Sequence, residues 1–579
     1  MNRVTWSMVR TSPPPLSPII PSLDFPGEPH AIKVVNGRTR VPDAFTPSWL
    51  RGEPRATALL PLAFRDPEQR RRAVDAAALR PIDPAVHAAI VAQEARRPQS
   101  PSRTAALARL AEPGAVAVVT GQQVGLCLGP LYTLHKAAAA VATARALEAE
   151  TGHPAVAVFW LQTEDADFEE VRTVALPDPV TGAVRRIRIT DDLGSQGARV
   201  SLSHRFLGAG MNTVLDELAN ALGGLPHADA TLELLRRRYR PQATFGDAFA
   251  GVMAELFADE GLLLVDPRDP ALAALSVPIH AHAIARAGDI AAALAGRAAA
   301  LEAAGFKVQV PIREGAALSC FHPGGPDGPR YRLIPDDGHW ALAGAEGHVG
   351  AKDLQTALQT SPRAFSTTAL LRPVLQDIWL PTAAYLGGPG ELAYFAQLPP
   401  LYEIFERPMP LAVPRARFLI VEPSARRLSR QLAIAPLDAG APRQDLLAEL
   451  VARDGDAPVD PEAAIAPVRE ALAATLAALG KAAADDPGFD RVARKAEEAI
   501  EHQLARLAHR VHHVADRSDT VRVARLDRLK NLLWPEDTPQ ERVYGFPAFA
   551  ARHGPQALVA ALVAAVIPYH SDLVEVDLP

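Results

Sequence analysis

Val116-Ala117-Val118-Val119, followed by Thr120-Gly121-Gln122-Gln123-Val124-Gly125-Leu126-Cys127-Leu128-Gly129-Pro130, decides the fold. The apolar, mostly β-branched run reads as a short buried strand, and its glycines and proline break it into a tight turn. Pro130 suits the first turn of a helix, where its missing N–H costs nothing. The Ala-rich run beyond it continues to Glu150, until Gly152 can cap it. Ala155 to Leu161 is a second apolar strand, followed at once by Glu164, Asp165, Asp167, Glu169 and Glu170. The stretch is one βαβ unit. Its Gly-rich turn and its acids both fall beyond the carboxyl ends of parallel strands, where open α/β sheets bind ligands.

Upstream, residues 1–45 hold Pro13-Pro14-Pro15 and little periodicity, as an extended N-terminal arm would. Asp66 to Leu110 has a helical pattern, interrupted at Pro81, Pro84 and Pro98. Downstream, Ala183 to Thr190 alternates apolar and basic residues like one strand of an inserted hairpin. Phe245 to Phe257 reads as an amphipathic helix, and Gly261 to Val265 as another buried strand with Asp266 at its carboxyl end. Pro270 to Ala304 is helical, while Val308 to Ile312 and Tyr331 to Ile334 bracket a hairpin-like region rich in Gly and Pro.

From about Ser424 the pattern changes. Ile465, Val468, Leu472, Leu476 and Leu479 recur at spacings of three and four, as do Val492, Ile500, Leu504, Leu507, Val511 and Val514. Asp485-Asp486-Pro487-Gly488 separates the two stretches, which predicts an antiparallel helical hairpin whose apolar stripe is covered by a second copy of the chain. The expected organisation is an α/β core over 46–423 with insertions near 175–240 and 305–350, a helical coiled-coil region over 424–517, and a segment over 518–579 packing back on the core.

At 579 residues the chain exceeds what one hydrophobic core organises. A net charge of −6 and a pI near 6.3 speak against non-specific nucleic-acid binding, which needs a concentrated basic surface. Two cysteines, Cys127 and Cys320, exclude a disulfide scaffold and suit a reducing cytoplasm. No apolar run approaches the roughly 18 residues of a membrane span, and the N-terminus lacks the apolar core of a secretion signal. A cytoplasmic chain without membrane or nucleic-acid partners is expected.

Thr120-Gly121-Gln122-Gln123, Gly125-Leu126, Gly129-Pro130-Leu131-Tyr132-Thr133 with Lys136, then Phe159-Trp160 and Glu164-Asp165 with Asp167-Phe168-Glu169-Glu170, closely resemble the cysteine-adding family of bacillithiol synthesis, BshC. A second block matches in order: Leu371-Arg372-Pro373, Gln376-Asp377, Pro381-Thr382, Tyr385, Gly387-Gly388-Pro389-Gly390-Glu391 and Tyr394. Pro539-Gln540-Glu541-Arg542 is a weaker third match. The resemblance spans about Ala115 to Arg542. It implies a Rossmann-like parallel-sheet core with connecting insertions plus a C-terminal α-helical coiled-coil arm that supports homodimers. It also implies a ligase reaction, joining the carboxyl group of cysteine to the amine of glucosaminyl-malate as an amide. In one place the chain departs from the family: where the family's acidic block reads Glu-Asp-His-Asp, position 166 here is Ala166.

A free carboxylate is a poor electrophile and must first become an acyl phosphate or acyl adenylate. ATP or ADP with Mg²⁺ is therefore the expected cofactor set, with no tightly bound metal. The turn through Thr120, Gly121, Gln122, Gln123, Gly125 and Gly129 would bring N–H groups to an anion at the positive end of the helix. Tyr132 and Lys136, four residues apart, would face the same side. Glu164, Asp165 and Asp167 suit ammonium recognition, deprotonation of an attacking amine, or Mg²⁺, with Glu164 and Asp165 the stronger pair. Glu169 and Glu170 are expected in solvent or on Arg172. Arg372 would take a carboxylate bidentately, and Gln376, Asp377 and Tyr385 would orient hydroxyls and amines. Gly388 belongs to a loop that approaches the ligand, and Glu391 would cap the helix after it. Plainer alternatives leave Lys136 in solvent and tie Arg372 to Asp377.

Cys127 reads as an inert packing thiol, Cys320 with His322 lacks the ligand spacing of a zinc site, and His512-His513 is expected at the surface. A class I aminoacyl-tRNA synthetase-like enzyme is disfavoured because His-x-Gly-His and Lys-Met-Ser-Lys-Ser are absent from the sequence. Ala166 keeps open a ligand-binding coiled-coil protein without ligase activity.

Overall fold

The structure, a computed structural model, describes residues 32–34, 45–190, 199–453, 461–486 and 488–578. The arm expected over 1–45 falls outside the described residues except for Ile32–Val34 and Phe45, and so do Pro487 and the side chains of 509–519, including His512 and His513.

Five parallel strands form the core sheet. Their order in space is Leu411–Pro414, Thr382–Gly387, Val116–Gln122, Ala155–Leu161, Leu263–Val265. The chain starts in the middle, winds to one edge, then returns to fill the other. The winding reverses between Val116–Gln122 and Thr382–Gly387, which makes a crevice at their carboxyl ends. Val116 to Val119 are fully buried because helices cover both faces of the sheet. At Gly121 an added Cβ would stand 2.8 Å from the Trp160 carbonyl oxygen, so only glycine allows this approach between the two strands.

The turn after the central strand coils into a short 3₁₀ segment, Leu126–Leu128, with Cys127 and Leu128 at φ 48° and 69°. Non-glycine residues pay for that conformation unless the surroundings enforce it. Tyr239 does so: its hydroxyl accepts from the Leu128 N–H at 3.0 Å and donates to the Gly125 carbonyl at 3.1 Å. The helix then begins at Tyr132, not at Pro130, because Pro130 bridges to Gly545. It ends at Thr151, with Gly152 as a left-handed cap at φ 79°.

Between the second and third strands lie the hairpin Thr173–Pro177/Val184–Arg188 and the helices Gly210–Leu222, Ala228–Arg238 and Phe245–Leu256. Between the third and fourth lie the helices Pro270–Leu275, Val277–Ala285 and Ala287–Ala303 and a five-stranded antiparallel sheet. Its order is His348–Gly350, His339–Leu342, Tyr331–Asp336, Ser319–Phe321, Phe365–Thr367. Val308 to Ile312, expected as a hairpin strand, is irregular. The Gln397 amide takes both the N–H and the C=O of Val310, so a strand partner is not needed.

Two helices, Pro461–Ala482 and Phe489–Leu533, form the arm, joined across their faces by Arg469 and Glu501 at 3.0 Å. No Gly or Pro interrupts residues 489–533, so the second helix runs through the boundary expected at 517/518. Its last turns bury Leu526, Leu529 and Leu533 against Leu419, Val421 and Trp534. Leu573–Asp577 then pairs with Arg417–Val421 in parallel and with Ile32–Val34 antiparallel. The arm's first helix is unusually apolar for its length. Glu462–Ala482, filled with alanine, has the length and mean hydropathy, 1.3, that would let a helix cross a membrane. It carries Arg469, which also pairs with Glu462 at 2.7 Å.

Candidate functional site

A cavity of about 960 Å³ opens over the crevice between the first and fourth strands. The βαβ unit contributes Gln122, Gln123, Tyr132, Lys136, Glu164, Asp165, Ala166 and Glu170 to its wall. The second block contributes Arg372, Gly388, Glu391 and Tyr394. Segments far apart in sequence therefore share one cleft.

Lys136 is buried, not solvated. It donates to the Gly121 carbonyl at 2.7 Å, to Gln122 Oε1 at 2.8 Å and to Glu391. Burial lowers its pKa to about 8, against the opposing pull of Glu391. Burial alone would raise the Glu391 carboxyl, but Lys136 overrides it and the net shift is downward. Glu391 also accepts from the Gly388 N–H and the Tyr385 hydroxyl, both at 2.8 Å. This caps the helix Pro389–Phe395 and fixes the turn at the end of the fourth strand.

Arg372 is held by hydroxyls and an amide. Its guanidinium donates to the Tyr394 hydroxyl at 2.6 Å, to the Tyr385 hydroxyl at 3.3 Å and to Gln376 Oε1 at 3.2 Å. Among the described residues it has no carboxylate at ion-pair distance. The alternative pairing with Asp377 does not form, because Asp377 points into the core onto Tyr402 at 2.5 Å and Gln376 at 2.9 Å. Burial pushes the Asp377 carboxyl up. Gln376, Asp377 and Tyr385 thus stand behind the cleft wall and do not line it.

The acids divide by role. Glu164 accepts from both the N–H and the hydroxyl of Thr367. Asp165 accepts from Gln123 at 2.6 Å and from the Ala166 N–H at 2.7 Å. Asp167 instead caps the short helix Phe168–Val171 through the Glu170 N–H and lies outside the cleft. Glu169 pairs with Arg172 at 2.7 Å. Glu170, expected in solvent or on Arg172, is exposed at the rim of the cleft and shares the Gln123 amide at 2.8 Å. Burial raises its pKa, Gln123 opposes, and Asp165 adds to the rise. Two carboxylates on one amide make a place for a cation.

On the Gly-rich turn, where an anion was expected, several N–H groups are already taken. The Leu128 N–H is taken by Tyr239, the Gly129 N–H by the Leu126 carbonyl and the Leu131 N–H by the Tyr544 carbonyl at 2.9 Å. Gly125 and Gly129 are buried packing residues, and Thr120 ties its strand to the Leu386 carbonyl at 2.9 Å. Positive charge comes instead from side chains: eight basic residues line the cleft against four acidic ones. A cleft of that balance attracts anions.

Several of these cations carry no local motif. Arg415 lies 5.5 Å from the Tyr132 ring centroid and holds Glu541 through two bonds of 2.6 and 2.8 Å. Glu541 also accepts from His135 Nδ1 at 2.9 Å. Arg330, from the inserted sheet, donates to the Thr367 carbonyl beside Glu164. Only Glu541 and Arg542 stood in a recognised motif, the weak third match. Among the described residues, no three His, Cys, Asp or Glu side chains gather into one cluster.

The fold and the cleft together define a doubly wound α/β protein with a charged cleft at its switch point and a coiled-coil arm appended. The family described as "Bacillithiol biosynthesis BshC, N-terminal Rossmann-like domain" matches residues 32–416, and "Bacillithiol biosynthesis BshC, C-terminal coiled-coil domain" matches residues 418–572. The chain belongs to the BshC family. Relatives named "Putative cysteine ligase BshC" include one from Koribacter versatilis, 35% identical over 79% of this chain and 82% of the relative. One from Solibacter usitatus is 35% identical over 81% and 85%, and one from Salinibacter ruber is 32% identical over 84% and 88%.

Proposed function

We propose that this chain is a cytoplasmic cysteine ligase, joining the carboxyl group of cysteine to the amine of glucosaminyl-malate in the last step of bacillithiol synthesis. The observation that carries the reading is the pairing, in one cleft, of a buried guanidinium without a carboxylate, Arg372, with the carboxylate pair Asp165 and Glu170. Arg372 suits a carboxylate of the malate or of cysteine. Asp165 and Glu170 suit the attacking amine: Glu170, with its raised pKa, can take the proton that the amine loses as the amide forms. Glu164, fixed by Thr367, adds negative charge beside them.

Lys136 orients this site rather than touching ligand, because its bonds go to the strand end and to Glu391. Carboxyl activation by ATP, with Mg²⁺ arriving on the phosphates, is part of the proposal. The surplus of basic residues suits phosphates, and Asp165 with Glu170 suits a cation held through one or two carboxylates. Homodimers through the arm complete it.

The test is to incubate the purified protein with cysteine, glucosaminyl-malate and ATP and to look for the thiol product by mass spectrometry. Product that depends on all three supports the ligase. Ala166 lines the cleft and favours a second reading, a ligand-binding protein that does not turn over. Saturable binding of glucosaminyl-malate without product would select that one.

A further inference from the structure

A second cavity, of about 810 Å³, lies at the carboxyl ends of the second and third strands, beside Leu161 and Asp266. The segment Gln162–Asp165 divides it from the cleft. Thr163 donates to Asp266 on one side, and Glu164 lines the cleft on the other.

Six arginines line this cavity, and half of them are neutralised. Arg96 is on Asp269, Arg97 on Glu94 at 2.7 Å, and Arg238 on Glu255 at 2.5 Å. Arg240, Arg268 and Arg363 have no carboxylate at ion-pair distance among the described residues. Arg268 is only 3% exposed; it donates to the Phe365 carbonyl at 2.7 Å and the Pro326 carbonyl at 3.3 Å, and its Nε has no acceptor. Arg363 donates to His204 Nε2 at 3.3 Å and likewise keeps an unpartnered Nε. Ser203 Oγ, in the same wall, has no partner either.

The three carboxylates of the wall, by contrast, are already hydrogen-bonded. Asp266 takes the Thr163 hydroxyl and the Arg268 N–H at 2.9 Å, Asp269 takes Arg96 and the Ala271 N–H at 2.9 Å, and Asp247 takes the Thr244 hydroxyl at 2.9 Å. Guanidinium and hydroxyl donors are thus left over; Arg268 feels Glu164 and Asp266 only from beyond ion-pair distance, and a buried guanidinium without a paired carboxylate is costly unless something supplies one. We propose that this cavity binds a small molecule through an oxyanion group, a phosphate or a carboxylate, received by Arg268, Arg363 and Arg240 with Ser203 as an added donor. The site stands whether or not the cleft is a ligase site.

Calorimetric titration of the full chain at fixed ionic strength tests it, with inorganic pyrophosphate and succinate as separate probes. Saturable binding of pyrophosphate assigns a phosphate, and of succinate a carboxylate. Arg363→Gln is expected to weaken that binding about tenfold and Ser203→Ala a few-fold, while Arg372→Gln leaves it unchanged. Circular dichroism checks that each variant folds; if Arg363→Gln does not, Ser203→Ala decides, and an unchanged affinity there overturns the proposal. It is also overturned if neither probe binds, or if Arg372→Gln abolishes binding that Arg363→Gln leaves intact.

Discussion

Lys136 is a cation whose bonds the protein has already used. Its ammonium joins the end of the central strand to Glu391 in the second block, and burial brings its pKa to about 8. As pH rises through about 8 the pair loses its positive member, and Glu391 no longer holds the Gly388 turn against a counter-charge. Activity is expected to fall across that window, and Lys136→Met to abolish the pH dependence along with most of the activity; a profile flat from about pH 7 to 9.5 would refute this role. The stability sign is opposite. Because the folded pKa lies below the ordinary lysine value of 10.5, the unfolded chain binds more protons between the two values, and this group adds stability as pH rises through them.

Arg372 calls for a different outcome. It has room for a ligand carboxylate, so Arg372→Gln should lower kcat/KM by about ten- to a hundredfold, chiefly through KM, while urea unfolding stays near wild type. Ala166 sits in the cleft, at the point where the acidic block departs from the Glu-Asp-His-Asp of the resemblance. If an imidazole assists proton transfer there, Ala166→His should raise kcat without changing KM. Steady-state kinetics of that variant separate a missing catalytic group from one whose work Glu170 already does.

At the scale of elements, the ion cluster under the cleft carries the largest stability prediction. Burial alone would raise the Glu541 carboxyl, but Arg415 and His135 hold it well below the usual range. Burial keeps His135 itself shifted toward its neutral form. Glu541→Gln would leave Arg415 buried beside a neutral amide, at a cost of about 3–5 kcal/mol read from urea denaturation. The sequence revealed the strands through their β-branched runs and the helices through their prolines and caps, because those patterns are local. It also brought Lys136, Glu164, Asp165 and Arg372 forward. It could not show that Glu170 reaches Gln123 at the cleft rim while Asp167 caps a helix, since both stand in one run of acids and only packing tells them apart. Arg330 and Arg415 were illegible for a related reason. They reach the cleft from an inserted sheet and from the last core strand, through pairings that no short-range pattern records.

The arm governs the whole molecule. Its two helices face each other through Arg469 and Glu501, yet Ile500, Leu507 and Val521 remain 39%, 60% and 50% exposed at multiples of seven residues. A heptad stripe left open on a long helix calls for another helix, and the symmetric way to supply one is a second copy of the chain. Replacing Ile500 and Leu507 by Asp removes the stripe without touching the core. Analytical ultracentrifugation should then show the dimer giving way to monomer, with the helical circular-dichroism signal little changed. An unaltered sedimentation coefficient would place the interface elsewhere. Apart from Arg542, the described cleft residues belong to the α/β core and its insertions, so on the proposed function the monomeric variant should keep its affinity for glucosaminyl-malate. If that affinity falls with the mass, the arm does more than hold two copies together: it sets the geometry of the strand Arg417–Val421, against which the last turns of its second helix pack.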